Sequence, residues 1–218
     1  MAMFSDLFDY AHSRSGGYLS AFDTPWEGLY SLNSFLRGLG HSLDRWEFEE
    51  IAHEVWVHRS AIIAPTAILL PPCIVDCDCE IRPNAYLRGG VLLGKNCVVG
   101  NGTEIKNSIL FDGVKAPHFN YIGDSILGFN AHLGAGSLLS NLRLDGAPIT
   151  IKGEGVCLPT GRKKLGSLLG DGVEIGCNCV LNPGTVVGRG SFVYPLSSVG
   201  GILPENCIFK AGKIRQKR

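Results

Sequence analysis

Residues 57–111 of the chain read VHRSAIIAPTAILLPPCIVDCDCEIRPNAYLRGGVLLGKNCVVGNGTEIKNSILF. An aliphatic or aromatic residue stands at every sixth position of this stretch: Val57, Ile63, Leu69, Val75, Ile81, Leu87, Leu93, Val99, Ile105 and Phe111. The same period returns later at Leu169, Ile175, Leu181, Val187, Val193 and Val199. A period of six fits neither an amphipathic helix nor the alternation of an ordinary strand, and it is typical of a β-helix built from hexapeptides.

Each hexapeptide predicts one short strand and one corner, so that three of them complete a triangular coil of about 18 residues. The anchor residue points into the prism, where it stacks on its equivalents in neighbouring coils. Small residues follow four positions after the anchors, and these include cysteines that are expected inside as small hydrophobes: Cys73, Cys79, Cys97 and Cys179. The sequence therefore predicts an all-β main domain, a left-handed parallel β-helix of hexapeptide repeats with about seven coils.

Short helices are predicted ahead of the repeat. Thr24 is a candidate N-cap, Pro25 takes the first helical position, and Glu27 follows three residues after the cap. We expect these helices to cover one end of the main body.

The chain divides into three parts by these patterns, and the middle part is interrupted twice. We expect an N-terminal helical cap over residues 1–50, the β-helix over 51–210 and a basic tail over 211–218. The period is lost at 113–121 and again at 141–168, which we interpret as loop insertions. Long excursions from a regular scaffold are usually functional, so a site is expected there.

Charge and hydropathy restrict the classes of partner. The 218 residues include 20 basic and 20 acidic ones, which gives no indication of binding to nucleic acid or to an anionic membrane. No apolar run approaches the roughly 20 residues that cross a membrane. The first ten residues lack a basic segment followed by an apolar core, so they do not resemble a secretory signal. We therefore expect a cytoplasmic protein with neither a nucleic-acid nor a membrane partner.

At the first interruption the chain resembles a known family. Residues 102–141, GTEIKNSILFDGVKAPHFNYIGDSILGFNAHLGAGSLLSN, resemble the acetyltransferase half of the bacterial bifunctional glucosamine-1-phosphate acetyltransferase/N-acetylglucosamine-1-phosphate uridyltransferase. The comparable motifs there are E-x-K, H-x-x-Y-x-G-D and N-x-G-A-G-T-x-x-x-N. Residues 160–188, TGRKKLGSLLGDGVEIGCNCVLNPGTVVG, resemble the archaeal-type sugar-phosphate nucleotidyltransferases that carry such a domain. The Gly-rich L-x-x-G-x-G-T-R-M-type loop of the nucleotidyltransferase half has no match, so uridyltransferase activity is not expected.

The resemblance implies acetyl transfer from acetyl-CoA to the amine of an amino-sugar phosphate (glucosamine-1-phosphate-like) or of a nucleotide-linked amino sugar. His118 matches the general base of the family, and a histidine with an ordinary pKa near ~6.5 suits that task at neutral pH. The residues that the resemblance assigns to the substrate are Arg88, Lys106, Tyr121, His132 and Asn141. Arg88 and Lys106 are 18 residues apart, hence one coil apart on one face, where two cations could bind a phosphate.

The resemblance also implies a homotrimer that binds CoA in the groove between neighbouring prisms. The residues assigned to CoA are Ala135, Cys177, Pro195 and Lys210. The backbone around Ala135 could stabilise a developing oxyanion. The basic loop with Arg162, Lys163 and Lys164 could reach a phosphate or be merely solvated.

Two departures from the family motifs concern the sugar pocket. His132 replaces the first asparagine of N-x-G-A-G, and Leu142 replaces a tyrosine. A non-catalytic sugar-nucleotide binder or regulatory β-helix protein is therefore an alternative, as is a scaffold that recruits a separate nucleotidyltransferase. His118 and His132 in adjacent coils could hold a metal as in hexapeptide carbonic anhydrases, but the third histidine of that site is absent. No metal is expected.

Overall fold

Three walls of short strands form the body of the protein in the computed structural model, which describes residues 4, 6–153 and 155–217. The first wall contains, in order, β1 (Phe48–Ala52), β2 (Val55–His58), β5 (Cys73–Val75), β8 (Val91–Leu93), β11 (Ser108–Leu110), β14 (Ile126–Leu127), β19 (Ser167–Leu169), β22 (Thr185–Val187) and β25 (Ile202–Leu203). The second wall contains β3 (Ile62–Ile63), β6 (Glu80–Ile81), β9 (Val98–Asn101), β12 (Lys115–His118), β15 (His132–Leu133), β20 (Glu174–Ile175), β23 (Phe192–Val193), β26 (Cys207–Lys210) and β27 (Lys213–Gln216). The third wall contains β4 (Ile68–Leu69), β7 (Tyr86–Leu87), β10 (Glu104–Lys106), β13 (Tyr121–Gly123), β16 (Leu138–Leu139), β21 (Val180–Leu181) and β24 (Ser198–Val199).

The predicted parallel β-helix is confirmed. Successive strands of the chain pass from wall to wall, and each pairs in parallel with the strand one coil away, as Cys73 with Val91 and Tyr86 with Glu104. The interior is a single aliphatic core that includes the four inward cysteines and also Cys207. Without the antiparallel β1 and β27, the walls hold eight, eight and seven stacked strands, close to the seven predicted coils.

The first interruption of the period is a change of count within the coil. Val91 pairs with Ser108, 17 residues on, whereas Cys73 pairs with Val91 across 18. One residue is therefore missing, so Leu110 takes the inward place and Phe111, predicted as an anchor, packs outside against Phe8 with ring centroids 5.3 Å apart. The segment 113–121, expected to leave the prism, stays in it.

The pairing of β12 shows that 113–121 remains in the prism. Lys115 pairs with Val98 below and with His132 above, and Ala116 is fully buried in the interior core. The longer interruption does leave the prism after Leu139, forms a hairpin of β17 (Thr150–Gly153) and β18 (Val156–Pro159), and returns at β19.

The N-terminal segment lies along the first wall and does not cap an end of the prism. Its helices are Tyr10–His12 (3-10), Gly16–Leu19, Pro25–Tyr30 (3-10) and Leu32–Ser42. A second core lies between this segment and the outer face of the first wall, where strands such as Val91–Leu93 are buried throughout. Strands covered on both faces read as continuous apolar runs, which is why the wall needs this cover.

Two reversed strands close sheet edges. β1 pairs antiparallel with β2 at one end of the first wall, and β27 pairs antiparallel with β26 at the other end of the second wall. The segment predicted as a basic tail thus contains a paired strand, and its Lys217 ammonium lies 3.5 Å from the centroid of the Phe192 ring. Among the helices of the described residues, none has the length and apolar character needed to span a membrane.

Candidate functional site

One edge of the prism, where the second wall turns into the third, carries most of the predicted CoA residues above His118. The Gly136 N–H donates to the His118 carbonyl (3.0 Å), the Asn178 N–H to Ala135 (2.8 Å), and the Leu196 N–H to Cys177 (3.0 Å). In this parallel ladder such bonds place His118 beside Ala135, Ala135 beside Cys177, and Cys177 beside Pro195. At about 4.8 Å per strand, His118 and Pro195 are roughly 14 Å apart along the edge.

Lys210 lies at the far end of this row. Its ammonium stands 4.4 Å from the centroid of the Tyr194 ring, next to Pro195. These three residues line a cavity of about 320 Å³ together with Leu196 and Phe209. A row that begins at a histidine and ends at a cation beside a cavity can hold an elongated anionic ligand.

His118 is exposed at the end of β12, and its backbone is fixed by a buried neighbour. Asn120 is 2% exposed; its Oδ1 accepts the His118 N–H (3.3 Å), and its Nδ2 donates to the Gly134 carbonyl (2.8 Å). Asn120 thereby ties His118 to the corner of the next coil. The His118 imidazole has no hydrogen-bond or ion-pair partner within the described residues, so it is free to contact a ligand. Asn120 was missed in the sequence because a buried asparagine at a corner resembles any turn asparagine.

Arg88 and Lys106 are neighbours on the third wall, as their spacing predicted. The Arg88 N–H donates to the Ile105 carbonyl (2.8 Å), which places Arg88 beside Lys106. Arg88 Nη1 also donates to Glu104 Oε1 (2.5 Å), and this bond raises the pKa of the Arg88 guanidinium. Glu104 thus offsets one of the two predicted phosphate-binding charges, which the sequence reasoning did not foresee.

Tyr121 and Asn141 meet on the third wall over Gly123. A Cβ at Gly123 would lie 2.6 Å from Tyr121 Oη and 2.6 Å from Asn141 Nδ2, so both polar atoms occupy the space that its missing side chain leaves. Burial is the main cause that raises the pKa of Tyr121, and the carboxylates of Glu104 and Asp124 add to it. The phenol is therefore a hydrogen-bond donor at neutral pH.

Asp124 connects this pair to the interior of the structure. The carboxylate is 3% exposed; Oδ1 accepts from Asn107 Nδ2 (2.7 Å) and Oδ2 accepts from Asn141 Nδ2 (2.6 Å). Arg162 Nη2 lies 3.8 Å from Oδ1. Arg162 is 9% exposed, and burial lowers the pKa of its guanidinium against the opposing effect of Asp124. Arg162 therefore does not reach outward to a phosphate, whereas Lys163 and Lys164 are exposed.

His132 lies apart from the other predicted sugar contacts. It pairs in register with Lys115, three residues before His118, on the second wall. Its Nδ1 and Glu174 Oε2 are 2.7 Å apart. His118 and His132 therefore do not face each other, and the part of the chain that the structure describes contains no group of three or more metal-ligating side chains placed for an ion.

Comparison with known proteins gives matches of two kinds. The sequence matches the family described as the GMPPB C-terminal domain over residues 69–188, more than half of its 218 residues. The bifunctional sugar-1-phosphate nucleotidylyltransferase/acetyltransferase of Sulfurisphaera tokodaii is 31% identical over 185 residues, covering 82% of this chain and 45% of that protein. The bifunctional protein GlmU of Methanococcus maripaludis is 34% identical over 180 residues, covering 81% and 43%. The chain thus spans less than half the length of these relatives.

Solved structures give weaker matches. The acetyltransferase domain of PglB from Neisseria gonorrhoeae has a TM-score of 0.35 and 13% identity, covering 73% of this chain and 56% of that one. A perosamine N-acetyltransferase mutant from Caulobacter crescentus has a TM-score of 0.33 and 16% identity, covering 73% and 55%. We draw no functional inference from TM-scores this low.

Proposed function

Because the chain belongs to the family of the GMPPB C-terminal domain, we propose that it is an acyltransferase that moves an acetyl group from acetyl-CoA to an amino sugar. The resemblance to bifunctional sugar-phosphate enzymes, predicted from the motifs, is confirmed by the relatives, which include an archaeal nucleotidylyltransferase/acetyltransferase. The observation that carries the proposal is the row along one prism edge, which aligns His118 with Ala135, Cys177 and Pro195. The acceptor would be an amino-sugar phosphate or a nucleotide-linked amino sugar.

In this proposal His118 is the catalytic base. Its imidazole takes a proton from the amine as the amine nitrogen attacks the thioester carbonyl carbon. When the tetrahedral intermediate collapses, the C–S bond breaks and the leaving thiolate takes that proton, which gives free CoA and the amide. Two N–H groups at the corner are already used, Gly134 to Ile175 (2.6 Å) and Gly136 to His118 (3.0 Å). The Ala135 N–H, which has no partner within the described residues, is the candidate donor to the oxyanion.

The third wall would hold the sugar and its phosphate. Tyr121 and Asn141 would contact the sugar, and Lys106 would bind the phosphate. Arg88 would join it by exchanging its bond to Glu104 for one to the phosphate, because a dianion competes well for a guanidinium. His132, on the second wall with Glu174, would contact the substrate only across the groove from a neighbouring subunit.

We further propose a homotrimer with acetyl-CoA in the grooves between subunits. The N-terminal segment covers the first wall, so the edge between the second and third walls is left for contacts with other copies. Light scattering on the purified protein should give about 70 kDa, three times 23.4 kDa. A mass of one chain at working concentration would contradict the shared groove.

The test of the reaction is an assay for the N-acetylated product by mass spectrometry over a panel of amino-sugar phosphates. Thiol reagents are unsuitable because Cys157 and Cys177 are exposed. His118→Ala should lower kcat at least 100-fold, the usual contribution of a general base, while His53→Ala, an exposed histidine in the turn after β1, should leave it unchanged. Equal turnover in the His118 variant would eliminate the proposed base.

A non-catalytic sugar-nucleotide binder is the second candidate. It is favoured by the pairing of Arg88 with Glu104 and of His132 with Glu174, which closes two predicted substrate contacts in the free protein. Calorimetry separates the candidates, because an acetyltransferase binds acetyl-CoA and a sugar-nucleotide binder has no need to. A scaffold for a separate nucleotidyltransferase would instead retain that enzyme through purification.

A further inference from the structure

We propose that Arg162 is a positioning residue of the sugar subsite, through which residues 25–30 of the N-terminal segment hold Asp124 and Asn141 in place. The identity of the ligand rests on the proposed function, whereas the arrangement of side chains does not. The residues come from three separated parts of the chain, and their contacts form one connected path.

The path begins at the N-terminal segment. The Arg162 guanidinium carbon lies 4.0 Å from the centroid of the Tyr30 ring, and Nη1 donates to the Trp26 carbonyl (3.5 Å). Tyr30 Oη donates to the Thr160 carbonyl (3.2 Å), so the same tyrosine fixes the loop on both sides of the arginine. Arg162 Nε donates to the Lys164 carbonyl (3.0 Å). The guanidinium is thus held by a ring face and two carbonyls, which a flexible lysine could not reproduce.

The path continues to the carboxylate. Asp124 is almost fully buried, and the cation that faces it is Arg162, at 3.8 Å. A buried charge that loses its partner is strongly unfavourable, because neither water nor another charge compensates it. Without Arg162, Asp124 would be expected to turn outward or to take up a proton. Either change would disturb the bond that Asp124 accepts from Asn141 Nδ2.

The path ends at the sugar subsite. The bond from Asn141 Nδ2 to Asp124 Oδ2 (2.6 Å) fixes which way the amide is turned, so the Asn141 carbonyl oxygen is presented elsewhere. The same Nδ2 shares the space over Gly123 with Tyr121 Oη. Arg162 touches neither substrate nor reacting atoms in this arrangement. It acts on the subsite through Asp124, and the row along the CoA edge is outside the path.

The test compares Arg162→Met with Arg143→Met. Both remove an arginine of the same loop that faces an aspartate, but Arg143 pairs with Asp145 on the surface. Arg162→Met should raise KM for the amino sugar about tenfold, equivalent to ~1.4 kcal/mol and within the range of couplings through a shared network. KM for acetyl-CoA should change less than twofold, and Arg143→Met should match the wild type in all constants.

A double variant separates positioning from general damage to the fold. Asp124→Asn/Arg162→Met removes both charges, so the amino-sugar KM should recover to within about threefold of wild type, since coupled sites are not additive. Tyr30→Leu should shift the same KM in the direction of Arg162→Met, while Trp46→Leu, at an exposed position of the N-terminal region, should not. An unchanged amino-sugar KM in Arg162→Met, or a double variant worse than either single one, would overturn the inference.

Hydrogen exchange keeps the inference testable if no amino sugar is acetylated. Arg162→Met should speed amide exchange in peptides spanning 119–126 and 138–143 at least tenfold and leave 175–181 unchanged, with the double variant closer to wild type. Unchanged exchange in the first two peptides would overturn the inference whatever the substrate. Failure of the proposed function would appear separately, as absence of product from the wild-type protein.

Discussion

Replacing Gly123 with alanine would place a methyl group in the space that Tyr121 Oη and Asn141 Nδ2 share. The new carbon would lie 2.6 Å from each atom, and real Cβ atoms are essentially never found that close to other heavy atoms. The two polar atoms must therefore each move by roughly 0.8 Å to restore ordinary contact of about 3.4 Å, since interiors transmit such strain. Gly123 does not have a positive φ, so the backbone itself accepts alanine without strain.

The consequence should fall on one substrate. A misplacement near 1 Å can cost about 100-fold in rate, so kcat/KM for the amino sugar should fall about 10- to 100-fold. KM for acetyl-CoA should be unchanged, and overpacking should lower the free energy of unfolding by about 1–3 kcal/mol. Gly38→Ala is the control, because an added Cβ there meets nothing within 4 Å. Should Gly123→Ala keep its amino-sugar kcat/KM within twofold, the placement of the sugar over Gly123 is refuted.

Two further predictions concern stability. Leu110→Ala should lower the free energy of unfolding by about 2–5 kcal/mol in urea titrations, because Leu110 fills the prism interior; a loss below 1 kcal/mol would contradict the shortened coil. Burial is the main cause that raises the pKa of Asp112 above its ordinary 3.8, with Asp76 adding and Lys95 and His12 opposing. The folded state then binds more protons than the unfolded one between the two pKa values, so stability should fall as the pH rises through that window. Asp112→Asn, whose Oδ1 can still accept the Lys95 N–H, should remove this fall, and equal pH profiles of the two proteins would contradict it.

The hexapeptide period was sufficient to predict the fold, because anchors such as Leu87, Leu93 and Val99 stack only in a prism. It could not place the shortened coil, since Leu110 and Phe111 are both apolar and adjacent. The cover on the first wall was also not predicted, although strands with no polar residue on either face, such as Val91–Leu93, carry that signal.

For the site, the sequence motifs gave the candidate residues but not their partners. The spacing of Arg88 and Lys106 correctly predicted their adjacency, because register in a β-helix follows directly from coil length. The bond between Arg88 and Glu104 depends on rotamers, which spacing does not determine. Asp124 and Arg162 are 38 positions apart and meet only because the loop with β17 and β18 folds back, so no local pattern could relate them.

The reversed strand β27 has a consequence for synthesis on the ribosome. Each coil rests on the one 17 or 18 residues before it, so the prism can assemble stepwise while the chain is being made. At every step the newest strand of the second wall offers an open edge, which is a template for unwanted pairing with other chains. That exposure ends when Lys213–Gln216 fold back on β26, with basic side chains along the outermost strand. The last strand thus acts as a terminator of templated growth, and nascent chains that lack it should be the ones that most need chaperones.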